Sequence, residues 1–379
     1  MKLIHIADLH LGKTVNEMSL LENQRFAMKQ VLKIIKDEKA EGVLIAGDVY
    51  DRSIPPVEAV NLFDWFLTAV AEEGVFVCCV AGNHDSGERL NFGKHLFEQK
   101  GIYIEGKLED EIRIIKKEDA YGSVLIHLLP FFKPANVRAV YSEENPGSFE
   151  DAMRIVLDRN AVNNEERNIL VTHQFVTGME PAQRSDSEQE INIGGSDQIS
   201  YELFDAFDYV ALGHLHGPQK AGREEVRYSG SLLKYSFSEE FQKKSVTVLE
   251  LGKKGDKSIR TIPLKPLHEM RTIKGPMDRL ASEEISSQGN SMDYIRAYLT
   301  DKEELVDPAG RLRAVYPNLM ELTIEKNYYQ SLEEHEEMDI KEKTPLELAE
   351  AFLKLTTGEI EEQRLELLKE LLEEGRREL

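Results

Sequence analysis

The segment VFVCCVAGNHDSGE (residues 75–88) leads from an apolar run into a turn that carries an amide, an imidazole and a carboxylate. Residues 75–80 are all apolar and predict a buried strand, which ends at Gly82. Asn83, His84 and Asp85 follow directly where the strand stops. A structural turn rarely gathers these three residue types, so the segment indicates a binding or catalytic site at a strand end.

Four other apolar runs end in the same way. In chain order, these runs deliver Asp8 and His10, then Asp48, His173, and finally His214 and His216. Helical patterns at residues 22–39 and 55–73 alternate with the early strands, which predicts a layered α/β core. Because the carboxyl ends of strands form the common site in such folds, we expect these side chains to converge.

The residue types favour a site for two divalent transition metals. Imidazole and carboxylate without thiolate suit manganese, iron or zinc better than calcium. One aspartate can bridge two ions about 3.5 to 4 Å apart, and such a pair stabilises both oxygens of a phosphoryl displacement. The pairing of His84 with Asp85 suits an imidazole outside the metal shell that gives a proton to the leaving oxygen. The remaining histidines are assigned structural roles: His5, His95, His127, His268 and His335.

Length and charge limit the classes of function. The chain has 379 residues, too many for one ordinary domain, and a formal net charge of −22. A nucleic-acid substrate would therefore need a local groove, bound cations or a partner to offset the field. No apolar run approaches the roughly 20 residues of a membrane span, and polar residues interrupt the N-terminus, so we expect a cytoplasmic protein. The only two cysteines, Cys78 and Cys79, are predicted to be core thiols on opposite faces of one strand.

The pattern changes near residue 262. A strand, helix, strand, helix, strand series is predicted over residues 267–325, with Asp307 as the N-cap of the second helix and Pro308 at its first position. Residues 331–379 hold 16 acidic and 7 basic side chains and predict two helices, the first opened by the capping box at residues 344–347. These helices could pack on their own domain or dock onto a partner.

The motifs DLH, GD, GNHD, TH and GHLH resemble the calcineurin-like metallophosphoesterase superfamily over about residues 1–262. The longer stretches ADLHLGK, AGDVYDRSIPP, DYVALGHLHGPQ and RYSGSLLKYSFSEE are similar to the family of nuclease subunits of bacterial SbcCD complexes. The resemblance implies a four-layer αββα sandwich at residues 1–262, a small α+β capping domain at 265–328 and a C-terminal helical pair at 331–379 for partner docking.

The resemblance also implies a role for each motif residue. Asp48 would bridge two ions, with His84 as the catalytic histidine supported by Asp85. One ion would be held by Asp8, His10 and His216, and the other by Asn83, His173 and His214.

The implied activity is DNA cleavage with manganese, or alternatively magnesium, as the metal. It would combine double-strand exonuclease with hairpin and single-strand endonuclease activity, in DNA repair and recombination. The implied partners are an SbcC-like ATPase, whose coiled coil the C-terminal helices would bind, and a second copy of the chain, through helices near residues 57–70 and 87–98. Asp51 stands where some relatives place a histidine, so an extra phosphate-contacting imidazole is not expected here.

Two other functions fit part of the pattern. A small-molecule phosphodiesterase or phosphatase would share the metal site but has no evident use for the two C-terminal units. A non-catalytic scaffold would be expected to have lost metal ligands, whereas the inferred set here is complete.

Overall fold

The computed structural model describes residues 1–178, 182–188, 197–301 and 303–325. The strands in this part of the chain are β1 (Lys2–Ile6), β2 (Thr14–Val15), β3 (Met18–Ser19), β4 (Gly42–Ala46), β5 (Phe76–Val80), β6 (Ile102–Glu105), β7 (Arg113–Asp119), β8 (Gly122–Leu129), β9 (Arg167–His173), β10 (Val176–Thr177), β11 (Ile199–Ser200), β12 (Tyr209–Gly213), β13 (Gln219–Ala221), β14 (Arg223–Tyr228), β15 (Ser245–Leu251), β16 (Lys257–Pro263), β17 (Met270–Gly275), β18 (Tyr294–Leu299) and β19 (Leu319–Ile324). The α-helices are α1 (Leu21–Glu38), α2 (Val57–Glu72), α3 (Gly87–Leu90), α4 (Lys94–Glu98), α5 (Pro134–Val140), α6 (Phe149–Arg159), α7 (Met277–Leu280), α8 (Glu283–Ser286) and α9 (Pro308–Arg313).

Two six-stranded sheets form the centre of the fold. The first has the order β16-β15-β1-β4-β5-β6, and the second has the order β13-β14-β12-β9-β8-β7. β1, β4, β5 and β6 run parallel in the first sheet, as do β14, β12, β9 and β8 in the second. Each sheet therefore presents a set of strand carboxyl ends at one edge.

Three apolar layers hold the sheets and helices together. One lies between the first sheet and α1 and α2, the second lies between the two sheets, and the third packs the second sheet against α5 and α6. Alternation along β5 places Cys78 in the middle layer and Cys79 in the first, so the prediction that they face opposite sides is confirmed. The predicted four-layer αββα sandwich is confirmed.

The chain crosses from the second sheet to the first between β14 and β15. β14 belongs to the second sheet and pairs with β13, whereas β15 pairs with β1 and β16 in the first. The segment between them contains the short 3-10 helix Phe237–Glu239. Closely spaced strand signals cannot show which sheet a strand joins, because pairing over more than 200 residues leaves no local pattern.

A third, smaller sheet follows the sandwich. Its three strands are all parallel in the order β17-β18-β19, and α7 and α9 share its apolar core. The predicted N-cap of α9 is confirmed, since the Asp307 side chain accepts a hydrogen bond from the Gly310 N–H and Pro308 is the first residue of the helix. The first helix of the series predicted over residues 267–325 is divided into α7 and α8, because Ser282 adopts an extended backbone between them.

The predicted C-terminal helical pair (331–379) lies outside the described residues. Among the described residues, no helix combines the length and apolar character needed to cross a membrane.

Candidate metal centre

The carboxyl ends of five strands meet in one buried site. Asp8 and His10 follow β1, Asp48 follows β4, Asn83 follows β5, His173 ends β9, and His214 and His216 follow β12. The two sheets touch here, because the His173 Nδ1 donates to the Ala46 carbonyl oxygen across 2.9 Å. The predicted ligands from both sheets therefore face a common space.

Strained backbone shapes the turns that carry these ligands. Four of the predicted ligands have left-handed φ values: Asp8 at 53°, His10 at 42°, Asp48 at 49° and His214 at 109°. Non-glycine residues seldom adopt this conformation, which costs roughly 1 to 3 kcal/mol each and is concentrated at functional sites. Two of the turns are tied by side chains, since Asp48 Oδ1 accepts from the His84 N–H and Asp8 Oδ1 from the His214 N–H, each across 2.9 Å.

One group of ligand atoms comes from Asp8, His10 and His216. All three residues are buried, and their ligand atoms lie within 4.8 Å of one another. The Nε2 atoms of His10 and His216 are 3.1 Å apart. Oδ2 of Asp8 is buried without a hydrogen-bond partner among the described residues. A cation would satisfy these convergent lone pairs.

A second group surrounds Asn83. Its Oδ1 lies 2.9 Å from His173 Nε2 and 3.2 Å from His214 Nδ1. The other ring nitrogen of His214, Nε2, is buried and has no hydrogen-bond partner among the described residues. The donor set, one amide oxygen and two imidazoles, suits a divalent transition metal.

Asp48 lies between the two groups. Its Oδ2 is 3.6 Å from His10 Nε2 in one group and 3.4 Å from His173 Nε2 in the other. The carboxylate is 2 % exposed, so water does little to solvate its charge. The position is the one that a bridging ligand would occupy.

The electrostatics of the site call for cations. Burial, and then the charge of Asp48, raise the pKa of Asp8 well above its usual range. Burial also opposes ionisation of Asp48, but at acidic pH the protonated imidazoles around it outweigh burial and lower its pKa: His173, His10 and His84. The carboxylate oxygens of Asp8 and Asp48 lie within 4.8 Å of each other. When both are ionised, two buried carboxylates at this distance repel each other unless a cation lies between them.

The ligand histidines are in the form that binds metals. Burial lowers the pKa values of the imidazoles of His10, His173 and His214. It also lowers the pKa of His216, to about 4. All four are therefore neutral near pH 7 and offer a free lone pair, as metal coordination requires. Donor types, unpartnered buried atoms and charge all fit two divalent ions.

Comparison with known proteins places this site in a family. A model described as calcineurin-like phosphoesterase matches residues 1–218, more than half of the chain. A protein of Staphylococcus epidermidis that is named as a subunit of the nuclease SbcCD is 32% identical over 376 residues, covering 98% of each chain. A protein of the same name from Staphylococcus saprophyticus is 32% identical over 383 residues, covering 99% of this chain and all of that one. This chain belongs to the SbcD family of calcineurin-like phosphoesterases.

A second family model and a solved structure also match this SbcD-family chain. A second family model, described as type 5 capsule protein repressor C-terminal domain, matches residues 266–357. The crystal structure of a dimetal phosphatase from Danio rerio covers 69% of this chain and 95% of that one, with 12% identity and a TM-score of 0.39. Membership of the family makes the chain a metal-dependent phosphoesterase.

His84 faces the centre of the SbcD-family site. Its Nδ1 lies 2.9 Å from the Asp51 carbonyl oxygen, and its Nε2 lies 3.9 Å from Asp48 Oδ2. The side chain is 18% exposed, whereas those of the ligand histidines His10 and His173 are fully buried. The Asp51 carbonyl oxygen therefore fixes the Nδ1 side of the imidazole, and Nε2 faces the space where a phosphate would lie.

Asp85 has a different role from the one predicted. Its carboxylate accepts hydrogen bonds from the N–H groups of Val49, Tyr50 and Gly82 at 2.9 to 3.1 Å. Among the described residues, no hydrogen bond or ion pair joins the Asp85 carboxylate to the His84 ring, whose Nδ1 faces the Asp51 carbonyl oxygen instead. Consecutive side chains in a turn point in different directions, so Asp85 ties the β4 and β5 loops together while the Asp51 carbonyl orients His84.

Sequence reasoning missed a second layer behind His216. Its Nδ1 lies 3.2 Å from Glu239 Oε1 and 2.8 Å from Ser187 Oγ. The buried Lys244 ammonium donates to Glu239 Oε2 across 2.5 Å and to the His216 carbonyl oxygen across 2.8 Å. A carboxylate on the far nitrogen of a ligand histidine fixes its tautomer and orientation. Glu239 lies in the stretch FSEE (residues 237–240), and no sequence pattern links this stretch to His216. The contact is therefore evident only from the folded structure.

We expect Glu239→Gln to weaken binding of one of two Mn²⁺ ions by about 10- to 100-fold, the usual effect of losing an outer partner of a ligand histidine. Isothermal titration of the metal-free chain with Mn²⁺ measures this directly. Glu240→Gln is the matched control, because the Glu240 carboxylate accepts from Thr272 in the third sheet. Equal Mn²⁺ affinities in Glu239→Gln and the control would contradict the assignment.

Proposed function

We propose that this chain is the Mn²⁺-dependent nuclease subunit of an SbcCD-type complex in the cytoplasm. It would hydrolyse DNA phosphodiester bonds as a double-strand exonuclease and as a hairpin and single-strand endonuclease, in DNA repair and recombination. The observation that carries the proposal is Asp48, 2 % exposed and 3.4 to 3.6 Å from imidazoles of two separate ligand groups. Full-length similarity to relatives named as SbcCD nuclease subunits supports DNA as the substrate.

The proposed ligand assignment follows the two groups of side chains. Asp48 would contact both ions. One ion would be held by Asp8, His10 and His216, and the other by Asn83, His173 and His214. When bound, the two ions supply positive charge that neutralises the phosphate and activates water for attack. The oxygen and imidazole donors suit Mn²⁺, with Mg²⁺ as the alternative.

The proton step is assigned to His84. Its Nδ1–H would donate to the Asp51 carbonyl oxygen, so the ring is held with Nε2 toward the centre. In the protonated imidazole, the Nε2–H would be transferred to the alkoxide oxygen that leaves as the P–O bond breaks. Asp51 thus contributes through its backbone, and its side chain pairs with Lys13 Nζ at 2.8 Å.

The chain is divided into three functional units. We assign residues 1–262 to the nuclease domain, 265–328 to a capping domain and 331–379 to docking on the coiled coil of an SbcC-like ATPase. The second family model spans residues 266–357 and supports a separate C-terminal unit.

Exposed apolar side chains support a homodimer. Those in or next to the two segments predicted to pair are Ile54, Val57, Val60, Phe92 and Leu96, with exposed fractions from 42% to 84%. Large exposed apolar groups in one region are typical of an interaction surface. Leu62 and Phe66 are fully buried and serve the core instead.

We expect the double variant Phe92→Asp with Leu96→Asp to be a monomer of 43.2 kDa, whereas the parent chain is a dimer of twice that mass. Both residues are exposed, so the effect on folding stability should stay within about 0.5 kcal/mol. Light scattering after size exclusion gives the masses. Tyr121→Asp, at an exposed turn, is the control. A monomeric parent chain, or a dimeric double variant, would refute this interface.

The proposed function is tested with a labelled DNA hairpin and a chromogenic phosphodiester, each with and without Mn²⁺. Cleavage of the hairpin that requires Mn²⁺ is the expected result. If only the small ester is cut, the assay is repeated with an SbcC-like ATPase present. Continued absence of DNA cleavage would favour a small-molecule phosphodiesterase.

A further inference from the structure

A shallow groove of about 690 Å³ begins next to the metal centre. Gly217 and Pro218, which directly follow the predicted ligand His216, line part of it. Arg184, Phe241 and Lys243 also line the groove. A strand bound in the groove would therefore pass close to the predicted ligand His216.

Arg184 connects the groove to the predicted ligands. Its guanidinium lies 4.6 Å from the ring centre of Phe175, which in turn lies 5.9 Å from the ring centre of His214. Phe175 is buried, so it holds the arginine at a fixed distance from the metal centre. Planar stacking keeps the cation in place and leaves its N–H groups for a phosphate.

The groove is a cationic region on an acidic protein. Neither Arg184 nor Lys243 forms an ion pair within the described residues, and both are exposed. Arg227 also lines the groove, but its charge is paired with Glu224. The exposed Asp186 borders the groove, since its N–H donates to Ser238 Oγ across 2.9 Å. Within the described part of the chain, the groove thus holds two cations without an ion-pair partner and is bordered by one exposed carboxylate, although the whole chain has a net charge of −22.

Phe241 provides an aromatic surface in the same groove. Its side chain is 91% exposed, the highest fraction among the exposed large apolar residues of the described chain. An isolated exposed ring beside cations is the combination that binds single-stranded nucleic acid, because bases stack on the ring while phosphates contact the cations. A paired duplex offers no free base face except at its ends, so the groove suits an unpaired strand.

We infer that this groove binds the single-stranded segment of DNA that leaves the metal centre, with a base stacked on Phe241 and phosphates on Arg184 and Lys243. The inference rests on the proposed nuclease function and adds to it a path for the substrate strand. It also gives an acidic chain a local site for a polyanion, since Arg184 and Lys243 have no ion-pair partner among the described residues.

The test measures binding of a fluorescein-labelled single strand of about 12 nucleotides, within the site size of single-strand binding folds. The full chain carries His84→Asn and Mn²⁺, so that it binds DNA without rapid cleavage. Phe241→Ala is expected to raise the Kd by about 5- to 150-fold, the effect of losing one stacked base. Phe241→Trp should restore the affinity, which loss of folding in the alanine variant could not explain.

The cations are tested by salt dependence. Arg184→Ala with Lys243→Ala should reduce the slope of log Kd against log salt by about 1.4, or about 0.7 for each lost phosphate contact with a single strand. Phe241→Ala should leave the slope unchanged. Lys33→Ala with Lys116→Ala, at exposed positions elsewhere, is the matched control.

The outcomes separate this inference from the proposed function. DNA that the parent chain neither binds nor cuts would overturn both. Binding by the parent chain that neither Phe241→Ala nor the double variant weakens would overturn the groove alone and leave the nuclease function standing. A weaker Phe241→Ala variant rescued by tryptophan, with the reduced slope in the double variant, establishes the groove.

Discussion

Asp48→Asn is expected to reduce hydrolysis of both DNA and a small phosphodiester by about 1,000-fold or more. The reason is that a bound metal contributes several kcal/mol to phosphoryl transfer, and each 1.4 kcal/mol corresponds to about a factor of ten. Asp48 Oδ2 lies within 3.6 Å of imidazoles from both ligand groups, so its loss affects both ions. Initial rates at saturating Mn²⁺, together with bound Mn²⁺ per chain, measure the effect.

Asparagine is the substitution that changes least at this position besides the charge. It removes the charge, keeps an oxygen that can accept from the His84 N–H, and tolerates the left-handed backbone at φ 49°. Asp64→Asn, the same change on the exposed side of α2, is the matched control and should keep full activity. Two fully occupied Mn²⁺ sites and near-normal rates in Asp48→Asn would show that Asp48 does not bridge.

His84→Asn is expected to keep both metals and to lower DNA turnover by about 100- to 10,000-fold, the range for loss of a general acid. The loss should be much smaller for a nitrophenyl ester, because that leaving group departs without a proton. Comparing the two substrates therefore separates proton donation from general damage to the site. The Nε2 of His84 is 3.9 Å from Asp48 Oδ2, and ligand atoms of His10, Asp48 and His84 lie within 4.8 Å of one another, so bound Mn²⁺ is measured in the variant as well.

The control for His84→Asn is His95→Asn, since the His95 side chain is 86% exposed on α4. The control should behave as the parent chain on both substrates. Equal losses on DNA and the nitrophenyl ester in His84→Asn would argue against proton donation, and loss of the metals would mean that His84 is a ligand.

Much of the architecture could be predicted because local sequence patterns determine where its strands and helices begin and end. Apolar runs followed by polar side chains gave the strands and their carboxyl ends, and the Asp307-Pro308 pair gave the start of α9. The convergence of Asp8 with His214, 206 residues apart, followed from the rule that the carboxyl ends of strands form the common site, and it holds here although β1 and β12 belong to different sheets. Their separation in the chain did not hinder the prediction, since at each strand end an apolar run is followed directly by polar side chains.

Other features depend on contacts that leave no trace in local sequence. Asp85 was expected beside His84, but backbone N–H groups from two loops bind its carboxylate instead. The buried pair of Lys244 and Glu239 behind His216 also requires the path of the chain between the two sheets. The groove beside Phe241 is lined by residues from five separate segments, and none of these segments resembles a nucleic-acid motif by itself.

Diffraction from crystals of the full chain soaked in Mn²⁺, recorded at the manganese absorption edge, tests the central claim most directly. We predict two anomalous peaks about 3.5 to 4 Å apart, with the Asp48 carboxylate between them. One peak should contact His10 and His216, and the other Asn83 and His214, while His84 contacts neither ion. A single peak, or an ion bound by His84, would contradict the assignment of the site.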